Sequence, residues 1–179
     1  LASDFEGGVA ARLSGACAMG NQMLVGASGL SRLARSMGEV TGDEATALGI
    51  PWVFAPVLDV NSNPSNPIIN VRSFGADPAA VARLGSAFAQ GVRSRGAMPC
   101  GKHFPGHGDV SSDSHLSLPT VPGDAARLRA VELLPFQRAS QQGLESIMTG
   151  HLAVPGLGEE PDVPATLSRR ILGDVLRGE

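Results

Sequence analysis

The chain has 179 residues, 42% of them hydrophobic and 17% charged, with a formal net charge of −3. That balance fits a globular α/β protein and supplies neither the basic patch of a nucleic-acid binder nor an acidic run. No apolar stretch approaches the ~18 residues of a membrane-spanning helix, and two cysteines, Cys17 and Cys100, give no disulfide framework or CxxC site.

Taken in chain order, Ser3-Asp4-Phe5-Glu6-Gly7-Gly8 reads as the end of a strand, and Ser14 to Gly38 is rich in Gly, Ala and Ser. Thr41 and Glu44 have the spacing of a capping box, which predicts a short helix ending near Gly49. The near-continuous apolar run Trp52-Val53-Phe54-Ala55-Pro56-Val57-Leu58 predicts a strand covered on both faces, with Trp52 and Phe54 in the core. Asp77 followed by Pro78 is an N-cap with a first-turn proline, and Val81, Leu84, Phe88 and Val92 fall on one face of the helix before Gly96. Ala97-Met98-Pro99-Cys100 predicts the next strand, with Cys100 as a small buried thiol. A third helix starts near Asp124 and carries Leu128, Val131 and Leu134, and Pro135 either kinks it or marks a first turn. Ser146-Ile147-Met148-Thr149 is a further strand, and Ser168 caps a helix whose Ile171, Leu172, Val175 and Leu176 face the sheet.

Strands that alternate with helices predict a parallel sheet with crossover helices. The strands end in Asp59, in Lys102-His103 and in His151. In a barrel, that end builds the site. The chain shows no repeat, low-complexity tract or internal linker and reads as one domain over 1–179.

The densest chemistry lies between Lys102 and His115, which holds three of the four histidines and two aspartates in fourteen residues. Pro105, Gly106 and Gly108 exclude a helix there, so these polar groups sit on a loop aimed by the preceding strand. Asp113 and His115 are two apart, close enough for the carboxylate to accept the imidazole N–H within one turn and fix its tautomer. Such a pair is a candidate general acid/base near neutral pH, although an ordinary turn hydrogen bond looks the same in sequence. His103, His107, Asp109, Asp113 and His115 are also metal-ligand types, but Pro105 and Gly106 break the helical face that would join His103 to His107.

The string Lys102-His103-Phe104-Pro105-Gly106-His107-Gly108-Asp109, with Asp113-Ser114-His115 and Leu118-Pro119-Thr120-Val121 after it, resembles the signature of the β-N-acetylglucosaminidase branch of glycoside hydrolase family 3. Other motifs agree in the same order: Asp4-Phe5-Glu6-Gly7-Gly8 with Arg12, Ala55-Pro56-Val57-Leu58-Asp59-Val60-Asn61, Arg72-Ser73-Phe74-Gly75 and Met148-Thr149-Gly150-His151. The pattern departs at Val9, where relatives usually carry arginine, and at Gly150, where alanine is common.

The resemblance implies a (β/α)₈ TIM-type barrel. A whole barrel takes about 250 residues, so 179 residues are expected to be an incomplete fragment, without the first strand and the C-terminal strands. It further implies that His115 protonates the leaving glycosidic oxygen with Asp113 as its partner, and that Asp4, Arg12, Arg72, Lys102 and His103 hold the sugar. Without the resemblance, Asp4 reads as a strand-end cap, Arg12 and Arg72 as surface charges and Lys102 as solvated. The nucleophile is expected to be an aspartate beyond Leu176-Arg177-Gly178-Glu179. The implied activity is a retaining exo-β-N-acetylglucosaminidase acting on a small carbohydrate, from muropeptides or chitin-like oligosaccharides, with no metal or organic cofactor. Two alternatives are a glycoside phosphorylase, whose histidine acid/base repels phosphate less than a carboxylate does, and a non-catalytic sugar-binding protein. Composition leaves the compartment open between cytoplasmic and secreted.

Overall fold

Four parallel strands lie side by side in chain order: β1 (Ala2–Ser3), β2 (Trp52–Val53), β3 (Met98–Phe104) and β4 (Ser146–Thr149). The computed structural model describes residues 1–113 and 117–178. Helices α1 (Gln22–Ser28) and α2 (Ser31–Ala47) connect β1 to β2, and α3 (Pro78–Ser94) connects β2 to β3. Helices α4 (Ala125–Ala130) and α5 (Leu133–Gln141) connect β3 to β4, and a π-helical segment, Arg170–Val175, follows β4. Parallel neighbours joined by helical crossovers in sequential order are the wall of a TIM-type barrel, of which four strands are present among the described residues.

The regular ladder of β2 is short, with Trp52 opposite Ala2 and Met98, but the apolar run continues along β3. Cys100 N donates to Ala55 O at 2.9 Å, Lys102 N to Pro56 O at 3.1 Å and Leu58 N to Lys102 O at 2.7 Å. Strand β3 extends to Phe104, so Lys102 and His103 belong to the strand rather than the loop after it.

Helix α3 starts as the sequence predicts, with the Asp77 carboxylate accepting from Ala79 N at 2.9 Å and Pro78 in the first turn. Its Val81, Leu84, Phe88 and Val92 are all buried, with Val53 and Ala55 of the sheet side, in one core between sheet and helices. Burying side chains of this size is worth about 1.5–3 kcal/mol each. A second core joins Leu58 and Phe104 to Leu128 and Phe136 of α4 and α5 and to Ile171 and Val175. Pro135 falls in the first turn of α5, where its missing N–H costs no helical bond. Ser168 Oγ accepts from Ile171 N at 2.9 Å, so it caps the last segment as expected, although that segment winds as a π-helix. Cys100 is buried, which pushes its thiol pKa up.

Two further expectations are corrected. Thr41 and Glu44 form no capping box: α2 begins at Ser31, Thr41 Oγ1 donates back to Met37 O at 2.8 Å, and Glu44 accepts from Cys17 N. The helix runs through Gly38 and Gly42 because these glycines touch α3; a Cβ on Gly38 would lie 2.1 Å from Phe88 O. Trp52 is 39% exposed rather than core. Successive strand residues point to opposite faces, so Val53 enters the helix-side core while Trp52 and Phe54 share the inner face and meet edge-on at 5.1 Å.

Candidate active site

The C-terminal ends of the strands bring charged groups together from residues nearly a hundred positions apart. Asp4 and Glu6 follow β1 and, being two apart, lie on one side of the chain. Lys102, fully buried in β3, places its Nζ 2.6 Å from Asp4 Oδ1 and 3.1 Å from Glu6 Oε2. Arg72 Nε donates to the other Glu6 oxygen at 3.0 Å, and Arg12 Nε donates to Asp4 O at 3.3 Å with its Nη2 3.8 Å from Asp4 Oδ2. Positive and negative groups therefore alternate from Arg12 through Asp4, Lys102 and Glu6 to Arg72. Burial pushes the Glu6 carboxyl up, but the charges of Lys102 and Arg72 outweigh it and hold the pKa below the ordinary glutamate value.

A second cluster centres on Asp59, fully buried just past β2. One of its oxygens is 2.7 Å from His103 Nδ1, and its carboxylate also accepts from His103 N at 3.2 Å and His107 N at 2.7 Å. Desolvation works against this charge, yet His103 and the backbone donors lower the Asp59 pKa overall. Burial drives the His107 pKa down, with Asp59 opposing, and the His103 and His107 rings lie 6.0 Å apart.

The loop leaving β3 is gripped by asparagines from the segment after β2. Asn66 Nδ2 donates to His107 O at 2.8 Å and Val110 O at 3.1 Å, while its Oδ1 accepts from Ile69 N at 2.7 Å. Gly108 lies so close to this segment that a Cβ on it would fall 1.7 Å from Val60 O, which no side chain tolerates.

Asp4, Arg12, Arg72 and His103 share one cavity of about 670 Å³ with Glu6, Phe54, His107 and the β4 end from Met148 to His151. Lys102 is not solvated: it lies beneath the cavity lining with its charge directed at Asp4 and Glu6. Neither Asp4 nor Arg72 stands alone as a cap or a surface charge, since each is ion-paired within the cluster. Asp113 stands farther along the loop, its carbonyl accepting from Ser117 N at 3.1 Å. His115 lies outside the described residues. Among the described residues no group of three or more His, Cys, Asp or Glu is placed to hold an ion; His115, one of the five residues of the alternative metal reading, lies outside them. His103 is committed to Asp59 and Asp109 to Arg127.

Sequence reasoning missed Glu6 and Asn66 as site residues and placed Asp59 at a site-building strand end without giving it a role. The spacing of Glu6 from Asp4 and the position of Asp59 at the end of an apolar run were the available signals.

Over residues 1–179 the chain matches the model of the glycosyl hydrolase family 3 N-terminal domain. It is 40% identical over 196 residues to "Beta-hexosaminidase A" of Pseudoalteromonas piscicida, covering all of this chain and 32% of that protein. Among solved structures, it is similar to a glycoside hydrolase family 3 β-N-acetylglucosaminidase from Paenibacillus sp. str. FPU-7, with a TM-score of 0.95 and 44% identity over 99% of this chain and 34% of that one. It is also similar to NagZ from Neisseria gonorrhoeae, with a TM-score of 0.89 and 37% identity over 98% of this chain and 52% of that one. The chain thus spans between a third and about half the length of these relatives.

Proposed function

Because this chain belongs to the N-terminal domains of glycosyl hydrolase family 3, we propose that the intact protein is a retaining exo-β-N-acetylglucosaminidase. It removes terminal β-linked GlcNAc from muropeptides or chitin-like oligosaccharides, and residues 1–179 supply part of its barrel-type catalytic domain. The observation that carries this reading is the charged cavity at the strand ends, where Asp4, Arg72 and His103 present polar groups already fixed by Lys102, Glu6 and Asp59.

A neutral sugar binds such a surface through its hydroxyls, which donate to Asp4 and accept from Arg12 and Arg72. His103, tied to Asp59 through Nδ1, turns Nε2 to the ligand. Lys102 acts from below by holding Asp4. A sugar lacking a matched hydroxyl leaves a desolvated charge unpaired, which supplies specificity. Leaving-group departure falls to the Asp113–His115 pair: His115 gives its proton to the glycosidic oxygen and later takes one from water, and Asp113 steadies the imidazolium. No cofactor takes part in these steps.

The test is release of 4-nitrophenol from its β-GlcNAc glycoside by the intact protein, with the β-glucoside as control. Activity confined to GlcNAc is expected, and formation of GlcNAc-1-phosphate in phosphate buffer would indicate a phosphorylase instead. His115→Ala should slow unactivated oligosaccharides by about 10²–10⁴-fold and the activated aryl glycoside far less; equal losses would remove His115 from the acid role.

A further inference from the structure

Outside the cavity, one ionic cluster lies between the acid/base loop and the helices that follow it. Arg127 of α4 donates through Nη2 to Asp109 Oδ2 at 2.8 Å and through Nη1 to Glu132 Oε2. Asp109 belongs to the loop that leads to Asp113, whereas Glu132 sits at the junction of α4 and α5, 1% exposed and with Oε1 unpartnered. The Glu132 side chain also packs on the loop backbone: a Cβ on Gly106 would lie 2.7 Å from Glu132 Cβ. Arg127 is itself aimed by the start of α4, because the Asp124 carboxylate accepts from Arg127 N at 2.8 Å. The loop is thus held on one flank by Asn66 and on the other by Arg127.

We infer that Arg127 is a positioning residue for the acid/base loop, fixing through Asp109 and Glu132 the course of the chain that leads to Asp113. The charge arrangement gives this tie its sense. With Arg127 present, one cation bridges two carboxylates; without it, both lose that bridge and the loop loses its tie to the α4–α5 junction. Burial raises the Glu132 pKa while Arg127 opposes it and Asp109 reinforces it, the pattern of two acids sharing one cation. An arginine suits the role because its rigid planar fork gives each carboxylate its own nitrogen, Nη2 to Asp109 and Nη1 to Glu132.

This inference rests on the proposed glycosidase for its kinetic consequence but not for its structural one. Hydrogen exchange of the intact protein, followed by mass spectrometry, reads the loop directly. In Arg127→Gln, peptides covering residues 105–113 should exchange about tenfold faster, those of α2 and α3 should be unchanged, and Arg127→Lys should lie between. Unchanged exchange over 105–113, or an equal rise throughout the chain, overturns the assignment. In kinetics, Arg127→Gln should lose more turnover on unactivated GlcNAc oligosaccharides than on the 4-nitrophenyl glycoside. Equal losses on both would overturn it, since a merely structural role predicts no leaving-group dependence. A wild-type protein without glycosidase activity would count against the proposed function alone, and the exchange result would still decide the role of Arg127.

Discussion

Replacing Asp59 by alanine removes one carboxylate and strands three donors at once. The His103 ring nitrogen at 2.7 Å, His103 N at 3.2 Å and His107 N at 2.7 Å all lose their acceptor in a site where Asp59 is fully buried. Each unsatisfied buried donor costs roughly 1–3 kcal/mol, but the three share one acceptor and relax together, so they do not add. Hydrogen bonds to a charged acceptor sit at the upper end of that range, so the expected loss for Asp59→Ala is about 3 kcal/mol. Asp59→Asn keeps one acceptor oxygen and should lose about half as much. Urea unfolding followed by far-ultraviolet circular dichroism measures both. The pH dependence provides a second check. Because the folded pKa of Asp59 is lowered, its contribution is fully present above the unfolded value of about 3.9 and is lost as pH falls through the lower folded value. The Asp59→Ala penalty should hold constant from neutrality to about pH 5 and shrink below about pH 4. A penalty under about 1 kcal/mol at neutral pH would refute the reasoning, because the carboxylate would then be anchoring nothing.

Gly38→Ala places a methyl 2.1 Å from Phe88 O, so unfolding midpoints should show a loss of about 1–3 kcal/mol or more. Gly173→Ala, with nothing within 4 Å of the new carbon and no positive φ, should be neutral or stabilising by up to about 1 kcal/mol in the same assay. Asp77→Ala deletes the α3 cap on Ala79 N and should cost about 1 kcal/mol by urea titration. His107 has a lowered folded pKa, so its contribution is complete above the unfolded value of about 6.5 and falls away as pH drops toward the folded one. The melting temperature should therefore decline on acidification from about pH 7, and His107→Gln should flatten that slope.

Helix α3 was legible because its signals are local: a cap, a first-turn proline and a stripe of four apolar residues. The strand ends were read from apolar runs that stop at polar residues, the sugar-holding roles of Asp4, Arg12, Arg72 and His103 came from motif resemblance, and the fold places these four in one cavity. What escaped reading depends on partners far away in the chain. The start of α2 was hidden because Gly38 looks like a breaker until Phe88 of α3 is seen against it. Asp59 is 44 positions from His103, and Lys102 is 98 from Asp4, so neither pairing has a local signature. Trp52 was misplaced because an apolar run does not say which face of a strand the helices cover.

The alternating charges from Arg12 to Arg72 also set how the cavity responds to its medium. Mobile ions screen charges they can approach, over a Debye length of about 8 Å at physiological salt. Lys102 has no exposed surface and Glu6 little, so counterions cannot come between them. The outer link, Arg12 with Asp4, is the most open to the electrolyte, and Arg72 is partly exposed as well. The inner links should keep their geometry from dilute buffer to strong brine, and uptake of an uncharged sugar should therefore be nearly indifferent to ionic strength.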